Sequence, residues 1–336
     1  MAAPVVGFHA CHAAFSKITG PDPRISLCLE EPRLPLYHEA GVFIQSTGEY
    51  FVTSNLFPDE TGKLAMVFSK IKITDGSYAC ERVPTEMSIG NGGVNYKDGI
   101  LWCDYGSHTE VGGLVYMSIK PPYPIEPIVE TFHGVPFNSV NDVVVAEDGA
   151  IWWTDPIYGY EQGLRPPPQL PAQVYRYDPS TKSVRAMADG FDRPNGICFS
   201  PEEKIVYVTD TGFVHHGDRS MDPTRASTIY AFDVMITAGQ PFLVNRRLFA
   251  FAEGRAPDGI KCDIEGNVYS GCRDGINVWS PGGVLLGKIL IQGGCCNFSF
   301  CRAGEIMAMN QTRLWRIQLA ETTIGALLRI GPSRQP

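Results

Sequence analysis

NDVVVAEDGAIWWTD, residues 141–155, contains two short apolar runs, VVV and AIWW, separated by an acidic turn that ends in Gly149. Valine, isoleucine and tryptophan suit the pleated surface of a strand, and Asp-Gly between two such runs marks a tight turn. The stretch therefore predicts two antiparallel strands. Its first residues fit less well. A buried strand has no local reason to open on Asn141-Asp142, because an amide or carboxylate is costly to bury without a partner.

The same unit recurs along the chain. Residues 195–212 read NGICFSPEEKIVYVTDTG, residues 258–272 DGIKCDIEGNVYSGC, residues 39–55 EAGVFIQSTGEYFVTSN, residues 91–106 NGGVNYKDGILWCDYG, and a weaker copy at 297–312 NFSFCRAGEIMAMNQT. Each copy is a polar head, a short apolar strand, a turn and a second strand rich in aromatic or β-branched residues. The heads at 39, 91, 141, 195, 258 and 297 lie at spacings that suit a four-stranded propeller blade. Outer strands are expected between the units, at 112–119, 173–188, 227–234 and 277–290. The fold predicted is all-β, a six-bladed β-propeller with four-stranded blades and a central metal site. An early strand at 24–30 and a late one at 312–319 would share one blade and close the ring, which removes an exposed sheet edge. The propeller is assigned to residues 24–320, with an N-terminal extension at 1–23 and a C-terminal tail at 321–336.

Composition narrows the function. The chain has 336 residues, 44% of them hydrophobic, enough for one large core. A formal charge of −8 and the absence of a basic stripe exclude a nucleic-acid partner and give no hold on an anionic membrane. No apolar run approaches the length of a membrane span. The first residues, MAAPVVGFHACHAAFSK, lack a basic start and are interrupted by His9 and His12, so they make a poor secretion signal. The ten cysteines are scattered, several inside strand-like runs (Cys103, Cys198, Cys262), and no paired C-x-x-C suggests zinc. They read as buried thiols of a cytoplasmic protein, a monomer by default.

In a propeller the first strand of every blade lines the central channel, so the six heads converge at one end of it. Glu39, Asn91, Asn141, Asn195, Asp258 and Asn297 all carry a carboxylate or amide oxygen. The best-matched four, Glu39, Asn141, Asn195 and Asp258, offer two carboxylates and two amides to a hard dication. Ca²⁺ is favoured, with Mg²⁺, Mn²⁺ or Zn²⁺ as alternatives. The competing reading is that Asn and Asp only cap turns where blades begin. Second strands run back to the same face, so the loops after them should rim the pocket. These include 54–62, 104–112, 155–171, 210–226 and 271–275. From them, and from the heads, Asn91, His108, Tyr158, Tyr160, His215, His216 and Arg219 are candidate substrate-binding residues.

The pieces HEAGVF, NSVNDVVVAEDGAIWWTDPIYGYEQG, RPNGICFSPEEKIVYVTDTG and APDGIKCDIEGNVYSGC resemble the senescence marker protein/gluconolactonase family, above all its fungal lactonohydrolase-like branch. The resemblance runs over nearly the whole chain from His38 onward. It implies a divalent metal held by Glu39, Asn141, Asn195 and Asp258, and hydrolysis of a small-molecule lactone with Asp258 as the general base. Two departures lie near the pocket: Gly41 stands where the family usually has proline, and NGGVNY lacks the usual hydroxyl residue after its Gly-Gly pair. Other hydrolytic machinery is absent, with no G-x-S-x-G elbow and no H-E-x-x-H helix. The alternatives are a non-hydrolytic cyclase or isomerase of secondary metabolism in the same pocket, and a non-catalytic interaction propeller. The last predicts no metal.

Overall fold

Successive residues of a strand point to opposite faces of its sheet, and this period explains how each repeat builds its blade. Val143 packs with Val94, Leu101 and Trp153 on one side, while its neighbour Val144 packs with Trp152, Ile197 and Val206 on the other. Trp153 and Trp152 divide the same way: Trp153 meets Phe137 edge-on at 5.3 Å and Trp152 meets Phe199 at 5.6 Å. An apolar run without polar alternation is therefore what a strand needs when it is sandwiched between two other sheets.

The computed structural model describes residues 6–74 and 76–329. Among them, six sheets of four or five strands stand around a channel, with inner strands Glu39–Ile44, Gly90–Tyr96, Val143–Val145, Pro194–Phe199, Ile260–Cys262 and Phe298–Arg302. They are called blades 1 to 6 in that order. Within each, the second strand runs antiparallel to the first, as Val143↔Trp153 and Ile197↔Val208 illustrate. Apolar clusters fill the seams between blades, including the closing seam of blades 6 and 1, where Tyr37, Tyr50, Met307 and Leu314 are buried. The strand Arg24–Glu30 pairs with Arg313–Gln318 in blade 6, so the ring closes with strands from both ends of the chain, as the sequence predicts.

The stretch read as an N-terminal extension is partly built into the sheet. Gly7–Ala10 pairs with Leu285–Leu290 as a fifth strand of blade 5, and Phe15 and Ile18 are buried in the seam of blades 5 and 6. An outer strand presents unpaired main-chain groups, and this segment satisfies them. In the tail, Ile324 accepts a main-chain hydrogen bond from Ile264, and residues 330–336 lie outside those described. Among the described residues no helix is long and apolar enough to cross a membrane, and all ten cysteines are free thiols.

The register slips immediately after Glu39, between Ala40 and Val42. Ala40 and Gly41 both take left-handed backbone, at φ 66 and 75. Proline, locked near φ −65, has no place at 41, and a Cβ there would run into the Tyr50 hydroxyl. The glycine that departs from the family motif is the residue this bulge requires.

Candidate functional site

The polar heads do converge, and they are buried: Glu39, Asn91, Asn141, Asn195 and Asn297 are each at most 9% exposed. Asp258, set just before Ile260–Cys262, keeps partial access to solvent. A run of hydrogen bonds links the heads. Asn91 Nδ2 donates to the Tyr105 hydroxyl at 3.0 Å, which donates to Asn141 Oδ1 at 2.9 Å. Asn141 Nδ2 donates to Asn195 Oδ1 at 2.6 Å, and Asn195 Nδ2 to Thr211 Oγ1 at 3.2 Å. From the other side Asn297 Nδ2 donates to Glu39 Oε2 at 2.8 Å. The run stops at Asp258, whose Oδ1 is buried with no hydrogen-bond partner.

A repeated threonine fixes the spacing of the heads. On the second strand of blades 1, 3 and 4, Thr53, Thr154 and Thr209 each donate to the main-chain carbonyl of the next blade's head, Asn91, Asn195 and Asp258, at 3.2, 2.5 and 2.9 Å. Asp142, the other half of the polar pair, accepts from the main chain of Val143 at 2.9 Å and of Ile197 at 3.2 Å, with Lys261 Nζ at 3.8 Å. It ties blade 3 to blade 4, and its charge reaches Lys261 on the inner strand of blade 5 and the head Glu39 of blade 1.

The electrostatics of the heads are unfavourable as they stand. Burial raises the Asp258 carboxyl well above its ordinary range, and the nearby charge of Glu39 raises it further. Burial also raises Glu39; the hydrogen bond from Asn297 opposes this, and the charge of Asp142 adds to it. Among the described residues no three of His, Cys, Asp and Glu lie together as ligands. The set fits a hard divalent cation: an orphaned carboxylate oxygen, a second strained carboxylate, and two amide oxygens alongside.

Around this ring stand the groups of the rim. Tyr158 is buried in the short helix Tyr158–Glu161, and its ring lies 4.0 Å from that of His216. His216 Nε2 is buried without a partner, and burial lowers its pKa to about 4. His38 is likewise lowered to about 3, by burial first and then by the charges of His216 and Arg219, so the 210–226 loop reaches toward the head of blade 1. His215 is exposed and pairs with Asp218 at 3.0 Å. Tyr160 is 46% exposed at the rim. His108 is not brought to the channel: it is exposed, and its Nε2 meets the carbonyl of Gly163 at 3.1 Å. It borders a separate surface cleft, with Arg165 and Pro166 to Pro168.

Sequence reasoning missed Tyr105, His38, Gln311 and the Glu161–Arg193 pair. Tyr105 had a signal, since DYG ends a second strand and so returns to the channel face. The others depend on contacts between blades that spacing does not reveal.

The profile of the SMP-30/Gluconolactonase/LRE-like region matches residues 108–308. The chain is similar to a lactonohydrolase of Aspergillus oryzae, 28% identical over 331 residues, covering 91% of this chain and 72% of the relative. It is also similar to the gluconolactonase of Zymomonas mobilis, 30% identical over 172 residues, covering 48% of this chain and 44% of that one. Among solved structures, a Xanthomonas campestris gluconolactonase superposes with a TM-score of 0.74 at 24% identity, covering 94% of this chain and 97% of that one. The calcium-binding protein regucalcin of Agrobacterium tumefaciens does so at 0.60 and 13% identity, covering 89% and 97%. At these identities the superpositions speak for the propeller fold.

Proposed function

The chain belongs to the SMP-30/gluconolactonase/LRE-like family, and from that premise we propose that it is a metal-dependent hydrolase that opens a small-molecule lactone. The observation that carries this reading is the partnerless, buried Oδ1 of Asp258 beside the carboxylate of Glu39. Such a pair is tolerated where a cation or a reacting proton completes it. Glu39, Asn141, Asn195 and Asp258 would hold one divalent ion, with Ca²⁺ preferred for this oxygen set. When bound, the ion supplies Lewis-acid polarisation of a carbonyl oxygen and acidification of nearby water.

Asp258, the one head with solvent access, is the proposed general base. It takes a proton from the attacking water as the water oxygen bonds to the carbonyl carbon. The ring carbon–oxygen bond then breaks, and its oxygen leaves with the proton that Asp258 took, giving the hydroxy acid and restoring the carboxylate. A carboxylate that also holds a cation is a weak base, so the burial that raises Asp258 works in favour of this role. Asn91 and the Tyr105 hydroxyl line the substrate side of the ring. Tyr158, Tyr160, His215, His216 and Arg219, from the 155–171 and 210–226 loops, select the substrate, and His108 braces the first of those loops.

Lactones of aldonic, aromatic and macrocyclic type, offered with Ca²⁺ and after chelation, test the reading. A product heavier by one water supports hydrolysis; an isomer of unchanged mass points to cyclisation or isomerisation in the same pocket. Asp258→Ala should abolish ring opening, and retained hydrolysis with metal still bound would remove Asp258 from catalysis.

A further inference from the structure

Two polar side chains at the seam of blades 6 and 1 fix the state of a third. Asn55 follows the second strand of blade 1, and its Oδ1 accepts the main-chain N–H of Leu56 at 2.7 Å. A main-chain N–H can only donate, so that atom of Asn55 is the oxygen and its Nδ2 points the other way. Asn55 Nδ2 then donates to Gln311 Oε1 at 3.0 Å. This orients the second amide, and Gln311 Nε2 faces His38 Nδ1 at 3.1 Å and Cys296 Sγ at 3.2 Å. An amide nitrogen also only donates. His38 Nδ1 must therefore be bare, and the neutral ring carries its proton on Nε2. Turning over either amide alone would set two donors against each other.

The relay sits on specified backbone. Gln311 follows the second strand of blade 6 at φ 56, a left-handed conformation uncommon outside glycine. Its carbonyl accepts the N–H of Tyr37 at 2.7 Å, and Asn55 N–H donates to the carbonyl of Pro35 at 2.8 Å. Both residues lie at strand ends that return to the face where Glu39 heads its strand, and His38 is the residue before Glu39. Among the described residues no acceptor meets His38 Nε2, and the residue as a whole keeps partial exposure.

We propose that His38 is a substrate-binding residue, donating a hydrogen bond from Nε2–H to an oxygen substituent on the lactone ring, and that Gln311 is the positioning residue that sets this tautomer. With Nδ1 occupied and Nε2 protonated, His38 has no lone pair to offer, so it recognises acceptors and takes no proton. The acceptor's identity rests on the lactone reading above; the tautomer does not.

Nitrogen-15 NMR of histidine-labelled protein with Ca²⁺ present tests the tautomer directly, with His38→Gln assigning the signal. Near neutral pH the wild type should show a neutral, Nε2-protonated His38, and Gln311→Glu should move a proton onto Nδ1. A wild-type His38 protonated on Nδ1, or on both nitrogens, overturns the proposal. In kinetics, His38→Ala should lower kcat/KM for the hydroxylated gluconolactone by about tenfold, the worth of one hydrogen bond. It should leave the unsubstituted δ-valerolactone within about twofold. Equal losses on both lactones, or none, overturn the binding role. If the wild type opens neither lactone, the lactonase reading fails and the acceptor with it, while the NMR result still decides the tautomer.

Discussion

Glu161 and Arg193 form a buried ion pair, with Oε1 and Nη2 at 2.6 Å and both side chains no more than 7% exposed. The pair joins three parts of the rim. Glu161 belongs to the helix Tyr158–Glu161, Arg193 immediately precedes the inner strand Pro194–Phe199, and Glu161 Oε2 also accepts the main-chain N–H of His216 at 3.1 Å. Burial, the largest single influence, would raise the Glu161 carboxyl, but the hydrogen bonds from Arg193 and the His216 main chain and the charge of Arg193 together hold the group below its ordinary value.

Glu161→Gln should therefore be severe. Removing one partner of a buried pair leaves an uncompensated charge, at a cost of about 3–5 kcal/mol. Asp192, at 2.9 Å from Arg193 Nη1, retains part of the compensation, so the lower end is expected. Urea unfolding measures it, and a loss below about 1 kcal/mol, the range of exposed pairs, would show that the contact does not hold in solution.

The pH dependence of the rim has a defined sign. His216 is lowered from 6.5 to about 4, by burial first. A depressed folded-state value means that protonation favours the unfolded chain. The stability this group contributes is complete above about 6.5 and is lost as pH falls toward and through about 4. His216→Phe keeps a ring against Tyr158 and removes the titration. Thermal melts across this window should show a shallower fall in Tm for the variant, with the other buried titratable groups, Asp155 and Glu39 among them, shaping what slope remains. Parallel curves would mean that His216 is already solvated in the native protein.

What the sequence revealed and what it hid follow from the range of the interactions. The heads and the returning strands were legible because each is local, a polar residue next to an apolar run. The Thr53, Thr154 and Thr209 bonds also leave a trace, since each threonine ends a second strand in VTS, WTD or VTD. The relay from Asn55 through Gln311 to His38 left none: its partners are 256 and 273 residues apart and meet only because the ring closes. The bulge at Ala40-Gly41 looked like a change of motif, because the left-handed backbone that calls for glycine is visible only once the strand is paired.

That bulge supports a third prediction. Gly41→Ala would place a Cβ against the Tyr50 hydroxyl and the Met309 side chain at φ 75. Strain at such a position costs on the order of 1–3 kcal/mol. Glu39 lies two residues away on the same strand, so the variant should lose divalent-metal affinity along with stability. Calorimetric titration with Ca²⁺ alongside a melting curve separates the two. Unchanged metal affinity in a destabilised variant would mean that the bulge serves packing alone.

The last prediction turns on the cost of the ring itself. Burial first, and then the charge of Glu39, disfavour an ionised Asp258, and its Oδ1 has no hydrogen-bond partner, so the metal-free protein should bear a penalty that a bound cation would relieve. Asp258→Asn removes the charge while keeping the shape. The metal-free variant should melt above the metal-free wild type, as expected when a functional site is held at the expense of stability. Adding Ca²⁺ should reverse the order. A ligand at about 100 times its Kd stabilises the form that binds it by about 2.7 kcal/mol. The wild type should show that rise and the variant little of it. If Ca²⁺ raises both melting points equally, Asp258 is not among the groups that hold the ion. If the metal-free variant melts lower than the wild type, the unpaired carboxylate was already satisfied, and the strain assigned to this ring is absent.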